Sequence, residues 1–330
     1  MDKLRIPWWL AAGSVAIALT VLAKDAYTVS VINLIAIASL MAASLRFVML
    51  IGEISFAIAG FVGLGAYSAG VATTILDWPF PAAMLLGPAL VTQVSIVFGI
   101  VTLRIKGPYF MLIGFAATEA MRIIFSKTDF IGGTSGMIGI FPPPYMDPWL
   151  PTFVMAVVMV SLFALYAIEK SDFGRVLAAI RDNENIARTV GVDVLFCKVA
   201  CFVIASFCAG LAGSLHAFVN NVISPGDFGF MLATFALAYV KVGGESSIVG
   251  AVCGSIILVL LGSYALGLGA GESLFYGGAI VLAVLLMPNG VIGLVNTGFR
   301  RLAAVRRGGE PVAPARTVPT TTSATRSKRA

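Results

Sequence analysis

Long apolar runs follow one another along almost the whole chain, and most charged residues fall between these runs. Crossing the hydrocarbon core of a bilayer, about 30 Å thick, takes roughly 20 mostly apolar residues in a helix. The pattern therefore predicts an all-α, polytopic bundle of about 10 membrane-spanning helices. The candidate spans are Pro7 to Ala23, Tyr27 to Leu45, Phe47 to Thr74, Phe80 to Leu103, Pro108 to Phe125, Leu150 to Ile168, Phe196 to Asn220, Phe228 to Val242, Ile248 to Tyr264 and Leu274 to Leu294.

Two of these runs depart from a simple crossing. Phe47 to Thr74 is longer than one crossing needs and contains several glycines, which predicts a broken or partly re-entrant segment that lines a cavity. Phe228 to Val242 is short, so the expected number of spans has a margin of about one or two.

Composition supports the membrane assignment. Hydrophobic residues make up 59% of the 330 residues, and charged residues make up only 12%. A water-soluble globule cannot bury that much apolar surface, so the excess must face lipid. A soluble enzyme is thereby excluded.

The distribution of Lys and Arg predicts the orientation, because cytoplasmic loops carry the excess of these residues. With a cytoplasmic N-terminus, the outer side receives only Lys24 and Lys127, and Arg122 lies inside a span. Both termini are therefore predicted to be cytoplasmic. The net charge of +6 follows from this asymmetry and the basic tail, so no nucleic-acid partner is predicted. The cytoplasmic side collects Lys3, Arg5, Arg46, Arg104, Lys106, Lys170, Arg175, Arg181, Arg188, Lys198, Lys241, Arg300, Arg301, Arg306 and Arg307.

Both ends of the chain need a separate interpretation. Lys3, Arg5 and an apolar run ending in Val21-x-Ala23 fit a secretory signal peptide. The next span begins almost at once, which favours a retained first helix and leaves cleavage open. Residues 300–330 are basic and rich in Pro, Thr and Ser, so they predict a disordered cytoplasmic tail behind a membrane domain over residues 1–299.

The longest polar insertion before the tail, residues 169–195, is predicted to be cytoplasmic and structured. The run from Arg181 to Asn183 offers capping side chains to a short helical stretch from Glu184 to Val190. Gly191 suits the position just past a helix end. A structured helix between two spans indicates a docking element.

The opposite face has its own long insertion, from Ser126 to Trp149. It contains a flexible run, Gly132-Gly133-Thr134-Ser135-Gly136, and a stiff one, Pro142-Pro143-Pro144. The insertion is predicted either to cap a translocation path or to receive an extracellular partner.

Small residues recur at every fourth position between Phe196 and Asn220. Such a stripe lets a second helix approach closely. The cysteines sit on or near packing positions, and His216 is the only histidine, so no metal site, cofactor or histidine-based catalysis is predicted. The stripe consists of Cys197, Cys201, Ala205, Ala209, Gly213 and Ala217.

Charges inside membrane spans are costly and mark functional candidates. Glu119 and Arg122 are three residues apart on one helix face and are predicted to pair. The pair either fixes helix packing or lines a pathway, and the two interpretations are equally favoured. Glu53 has no obvious local partner in the sequence, so a neutral, protonated carboxyl is an option there.

Four sets of motifs cover most of residues 45–294. The first is Gly52-Glu53-Ile54-Ser55-Phe56, Ala59-Gly60-Phe61 and Gly63-Leu64-Gly65-Ala66-Tyr67, and the second is Arg104-x-Lys106-Gly107-x-Tyr109-Phe110, Glu119-x-x-Arg122 and Gly132-Gly133-Thr134-Ser135-Gly136. The third is Phe173-Gly174-Arg175, Arg181-Asp182-Asn183-Glu184, Ala187, Gly191 and Lys198, and the fourth is Ala209-Gly210-Leu211-Ala212-Gly213, Ser224-Pro225, Gly243-Gly244 and Pro288-x-Gly290. In order and spacing they resemble the permease subunits of branched-chain amino-acid ABC importers, of the LivM type.

The resemblance implies roles for individual residues. The third set resembles the cytoplasmic loop that such permeases present to their ATPase subunits, which implies coupling roles for Gly174, Arg175, Arg181, Asp182, Glu184, Ala187 and Gly191. The other sets imply a pathway or packing role for Glu53, Ser55, Tyr67, Tyr109, Glu119, Arg122, Gly132, Gly133 and Thr134.

The resemblance also implies an assembly and a location. The chain is expected to be a multi-pass protein of the bacterial cytoplasmic (inner) membrane. Its implied partners are a second, homologous permease subunit, two cytoplasmic ATP-binding subunits and an extracytoplasmic solute-binding protein. The family usually has Gln at the position of Glu53, and Gly followed by a polar residue at Ala57 and Ile58. These departures leave the solute open among branched-chain amino acids, urea, short amides and aromatic acids.

Missing motifs separate the function classes. The sequence has no G-x-x-x-x-G-K-[ST] phosphate loop and no H-E-x-x-H helix, so any ATP that drives transport must bind another chain. The alternative is a stand-alone, ion-coupled secondary transporter with Glu53 and Glu119 as proton-binding groups. An intramembrane enzyme is less favoured, because no convergent nucleophile and base can be named.

Overall fold

The computed structural model describes residues 25–105, 107–267 and 277–278. The expected first span, nearly all of the expected last span, Lys106 and the basic tail lie outside the described residues. Most of the described chain is helical, which confirms the all-α prediction. In chain order the helices are α1 Ala26–Met49, α2 Ala57–Thr74, α3 Phe80–Thr102, α4 Pro108–Lys127, α5 Leu150–Lys170, α6 Asp172–Asp182, α7 Glu184–Thr189, α8 Val194–Asn220, α9 Phe230–Gly243 and α10 Ile248–Gly267.

Within the described residues, six helices are long and apolar enough to cross a membrane: α1 to α5 and α8. The helices α9 and α10 are bent by 112° at a short break, a geometry that fits one broken span or a re-entrant loop. The sequence predicted two separate spans here. With 14 residues, α9 is only about 21 Å long at 1.5 Å per residue, short of the roughly 30 Å core.

The apolar run from Phe47 to Thr74 is divided between two helices. α1 continues to Met49, residues 50–56 form the α1–α2 connector, and α2 begins at Ala57. Gly52 lies in this connector with φ of 80°, a conformation that favours glycine. The expected break is therefore present, and it separates one long helix from the next.

Helix α8 lies at the centre of the bundle, where it packs against α1, α2 and α3. Its small residues allow this, as the sequence predicted. A Cβ added at Gly213 would lie 1.9 Å from the carbonyl oxygen of Val62 in α2, and one at Gly210 would lie 2.9 Å from Cβ of Val91 in α3. Gly213 of the stripe and Gly210 on the neighbouring row thus let two neighbouring helices approach the backbone of α8.

The long insertion after α4 folds onto one end of the bundle. Its short strand β1, Met137–Ile138, pairs antiparallel with β2, Val222–Ile223, just after α8. Gly132 and Gly133 have positive φ values of 88° and 52°, which explains the glycine-rich run at this turn. We call this the loop end, defined by residues 128–149 and 221–229.

The opposite end of the bundle carries the buried charges. We call it the charged end, defined by Arg46, Glu53, Glu169, Glu184 and Lys198. Helices α4 and α8 both begin there and both finish at the loop end. The distribution of basic residues predicts that the charged end is cytoplasmic.

Candidate functional site

The insertion at the charged end folds into two helices that form a small core of their own. The buried face of α6 includes Gly174, Leu177 and Ile180. Ile180 packs with Ala187 of α7 and Val194 of α8 into one apolar cluster. Predicted coupling residues therefore include both buried members, Gly174 and Ala187, and exposed ones.

The boundaries of α7 follow the sequence prediction. The Asn183 side chain accepts hydrogen bonds from the backbone N–H groups of Asn185 at 3.0 Å and Ile186 at 3.2 Å, which caps the helix. Gly191 follows the helix with φ of 87°. The capping prediction is confirmed for Asn183, and the glycine stands where a left-handed residue is needed.

The exposed side of this insertion is polar at one part and apolar at another. Arg175, Arg181 and Asp182 are exposed on α6, and Arg175 pairs with Asp172 on the same helix. On α7 the large apolar side chain of Ile186 is 62% exposed. Charged and apolar side chains are thus exposed side by side on this insertion, outside the membrane helices.

A buried ion pair joins the start of this insertion to α1. Arg46 donates from Nη1 to Glu169 Oε2 at 2.7 Å and from Nη2 to Glu169 Oε1 at 2.8 Å. Its Nε donates to the carbonyl oxygen of Glu245 at 3.0 Å, in the turn between α9 and α10. Arg46 is 2% exposed. A two-pronged arginine–carboxylate contact of this kind fixes orientation as well as distance.

A second buried cluster joins α7 to the membrane helices. Lys198, in the first turns of α8, forms an ion pair with Glu184 at the start of α7, and its Nζ lies 4.0 Å from Glu53 Oε1. Glu53 Oε2 also accepts a hydrogen bond from the Gly107 backbone N–H at 3.0 Å. The sequence shows no local partner for Glu53, and the structure supplies partners from distant parts of the chain.

The predicted pathway residues that follow Glu53 in the sequence differ in burial in the structure. Ser55 and Tyr67 are buried, and within the described residues neither hydroxyl has a hydrogen-bond partner. The Tyr67 ring stacks on Phe125 with centroids 4.5 Å apart. Tyr109, in contrast, is 70% exposed. Packing therefore accounts for Tyr67, and Tyr109 faces away from the interior of this chain.

The pair of Glu119 and Arg122 forms as predicted, with Nε and Oε2 2.7 Å apart. The other oxygen, Glu119 Oε1, accepts a hydrogen bond from the Phe230 backbone N–H at 3.3 Å. Phe230 is the first residue of α9, where unpaired N–H groups and the helix dipole favour a negative charge. The pair thus links α4 to the start of the short helix α9. Of the glycine-rich turn nearby, Gly133 is buried and Thr134 is exposed.

A cavity of about 440 Å³ opens near the loop end, between α1, α8 and α9. Its walls are mostly apolar, and polar groups come from His216, Asn220, Asp227 and Tyr239. Asn220 Nδ2 lies 3.0 Å from His216 Nε2. None of the predicted pathway residues lines this cavity. Sequence reasoning missed it because its polar groups come from α8, α9 and the turn Pro225–Phe228, and only the Ser224-Pro225 motif pointed to that turn.

Within the described part of the chain, no group of three or more His, Cys, Asp or Glu side chains is arranged to hold an ion. The charged end contains ion pairs and a capped helix, and the loop end contains a mostly apolar cavity.

Comparison with known proteins places these features in a family. Residues 27–287 match the family described as branched-chain amino acid transport system / permease component. The chain belongs to this family. The resemblance that the sequence motifs indicated is therefore confirmed, and the chain is a multi-pass membrane protein of the transport permease type.

Individual relatives are distant. The chain is 24% identical over 279 residues to the high-affinity branched-chain amino acid transport system permease protein LivM of Escherichia coli, covering 76% of this chain and 66% of the relative. It is 29% identical over 196 residues to a probable branched-chain amino acid transport permease protein LivH of Methanocaldococcus jannaschii, covering 56% and 58%. The D-allose transport system permease protein AlsC of Escherichia coli is 26% identical over 226 residues, covering 67% of each chain. No solved structure shows a significant match.

Proposed function

We propose that the chain is the membrane-spanning permease subunit of an ATP-binding-cassette importer in the bacterial cytoplasmic (inner) membrane. The solute is a branched-chain amino acid or a related small polar molecule such as urea, a short amide or an aromatic acid. The family match and the names of the LivM and LivH relatives support this proposal. The allose permease among the relatives extends the family beyond amino acids, so the solute is the least constrained part.

The proposed partners are a second, homologous permease subunit, two cytoplasmic ATP-binding subunits and an extracytoplasmic solute-binding protein. This sequence contains no phosphate-binding loop motif, so ATP hydrolysis is assigned to the separate subunits. The exposed side of α6 and α7, with Arg181, Asp182 and Ile186, is the proposed surface for the ATP-binding subunits.

One observation carries the mechanism: buried ion pairs tie the start of the insertion and its second helix, α7, to the membrane helices. Arg46 holds the end of α5, and Lys198 holds the start of α7. A force applied to α6 and α7 is therefore passed to α1 and α8 rather than absorbed by a flexible loop. Closure of the ATP-binding subunits then rocks the membrane helices between inward-open and outward-open arrangements.

The cavity near the loop end is proposed as part of the solute route. Its volume of about 440 Å³ and its apolar walls with a few polar groups fit a small-molecule site. Among the described residues that line it, Asp227 supplies the only carboxylate.

Exchanging the charges of Arg181 and Asp182 tests the proposed surface. The double variant Arg181→Glu with Asp182→Arg is expected to remain in the membrane and to lose uptake, because both side chains are exposed and belong to the surface proposed to meet the partner. ATP hydrolysis stimulated by the loaded binding protein should fall with uptake. Both are measured on the assembled transporter in proteoliposomes, with the solute that its binding protein captures.

The matched control is Lys241→Glu with Glu245→Lys, an exposed pair at the same end but outside the insertion. Its uptake should stay near that of the native protein. Unchanged uptake in the Arg181 and Asp182 double variant would contradict the proposal that this surface binds the ATP-binding subunits.

The alternative, an ion-coupled secondary transporter, draws less support from the structure. Glu119 is paired with Arg122, and Glu53 lies beside Lys198 with a backbone hydrogen bond. Both carboxylates therefore already have partners among the described residues of this chain. Co-purification of ATP-binding subunits favours the importer, and proton-driven uptake by the isolated chain favours the alternative.

A further inference from the structure

Lys198 lies between two carboxylates at the charged end. Its ammonium contacts Glu184 and lies 4.0 Å from Glu53 Oε1. Lys198 is 2% exposed and Glu53 is 6% exposed, and the Glu184 side chain is 14% exposed. One cation is therefore shared by two acids in a space with little access to water, where charge pairing is strong.

The two carboxylates belong to parts of the chain with different tasks. Glu184 is the first residue of α7, in the insertion proposed to meet the ATP-binding subunits. Glu53 lies in the α1–α2 connector and accepts a hydrogen bond from Gly107, the residue before α4. Lys198 itself belongs to the central helix α8. This single side chain thus stands at the meeting point of the insertion, α8, and the starts of α2 and α4.

A buried ammonium ion is strongly destabilised when it loses the acid that neutralises it. If α7 moves away from α8, Lys198 loses Glu184. Glu53 is then the neighbouring acid, and a shift of about 1 Å would bring it into direct contact. Glu184 keeps a partner as well, because Arg188 Nη2 on the same helix lies 4.0 Å from its Oε2. Both acids and the lysine therefore remain paired in two distinct arrangements.

We propose that Lys198 exchanges partners between Glu184 and Glu53 during the transport cycle. In the arrangement described here it holds α7 against α8. In the other arrangement it forms a direct ion pair with Glu53, and this contact shifts the α1–α2 connector and the start of α4. Lys198 is a positioning residue, which acts through these two acids and not on the solute. The proposal rests on the proposed function, because movement of α7 is attributed to the ATP-binding subunits.

Two conservative variants separate this exchange from a fixed clamp. Glu53→Gln keeps a hydrogen-bond acceptor for Gly107 but removes the charge of the second arrangement, so uptake per ATP should fall by about tenfold while basal ATP hydrolysis does not rise. Glu184→Gln weakens the first arrangement, so basal ATP hydrolysis without the binding protein should rise by about threefold or more. The exposed variant Glu245→Gln at the same end is the control and should change neither quantity.

If Lys198 instead held α7 against α8 throughout the transport cycle, both variants would change ATP hydrolysis in the same direction. That result would overturn the proposed exchange of partners. It would leave the proposed function intact as long as native uptake depends on ATP. Loss of ATP dependence in the native transporter would instead overturn the proposed function itself.

A measurement on the native protein guards against variants that fail to assemble. Hydrogen exchange of the α7 backbone amides is compared in the complete reconstituted transporter with and without a non-hydrolysable ATP analogue. If Lys198 exchanges partners, the protection of the α7 amides should differ clearly between the two conditions, because α7 leaves α8 in one of them. Equal protection in both conditions would contradict it.

Discussion

Replacing Gly213 with alanine is expected to destabilise the bundle strongly. The added Cβ would lie 1.9 Å from the Val62 carbonyl oxygen and 2.8 Å from its carbonyl carbon. These are backbone atoms of α2, so the clash cannot be relieved by turning a side chain, and the two central helices must move apart. Overpacking typically costs about 1–3 kcal/mol, and a forced backbone shift puts this variant at or above the upper end.

The measurement is the thermal unfolding of the detergent-solubilised protein, followed by the loss of a monodisperse peak in size-exclusion chromatography. Gly99→Ala is the matched control, since Gly99 is also a buried helical glycine. Its added Cβ would lie 3.3 Å from the side-chain atom Phe202 Cδ1, a contact far less severe than one with backbone at 1.9 Å. A Gly213 variant as stable as the Gly99 variant would show that α2 and α8 do not pack as described.

Replacing Arg46 with methionine is expected to have the second large effect. The change leaves Glu169 without its two hydrogen bonds and the Glu245 carbonyl oxygen without its donor. Removing one member of a buried ion pair costs about 3–5 kcal/mol, and the 14% exposure of Glu169 argues for the lower value. Arg46→Lys should retain part of the stability, because lysine keeps the charge but cannot make the two-pronged contact.

A double variant distinguishes a lost partner from lost packing. Arg46→Met with Glu169→Leu removes both charges, so it should be more stable than Arg46→Met alone. Unfolding temperatures of the native protein, both single variants and the double variant form a complete cycle. A double variant no more stable than Arg46→Met would contradict the ion-pair account.

Local features of the fold were predictable from the sequence because they depend on neighbouring residues. Helix α3 begins at Phe80 and ends within one residue of the expected boundary, since an apolar run and a preceding proline mark it. The cap at Asn183 and the glycine after α7 follow from side-chain and backbone chemistry within a few residues. The pair of Glu119 and Arg122 follows from helix periodicity alone.

Long-range pairing was not predictable in the same way. Arg46 and Glu169 are 123 residues apart, and nothing in either segment specifies the other. Glu53 looked unpaired for the same reason, although Lys198 and Gly107 reach it in three dimensions. The bend between α9 and α10 was missed because hydropathy reports how apolar a run is, not which direction it takes; Gly244, with φ of 112°, lies at that turn.

The most direct test of the central claim is a photo-crosslinking measurement in native membranes. A photoreactive amino acid is placed at Ile186, which is 62% exposed on α7, and separately at Ile138, which is 73% exposed at the loop end. The account predicts that Ile186 crosslinks to a polypeptide carrying a G-x-x-x-x-G-K-[ST] phosphate loop, and that Ile138 does not. Crosslinking of such a polypeptide from Ile138, or from neither position, would contradict a permease driven through its α6–α7 insertion.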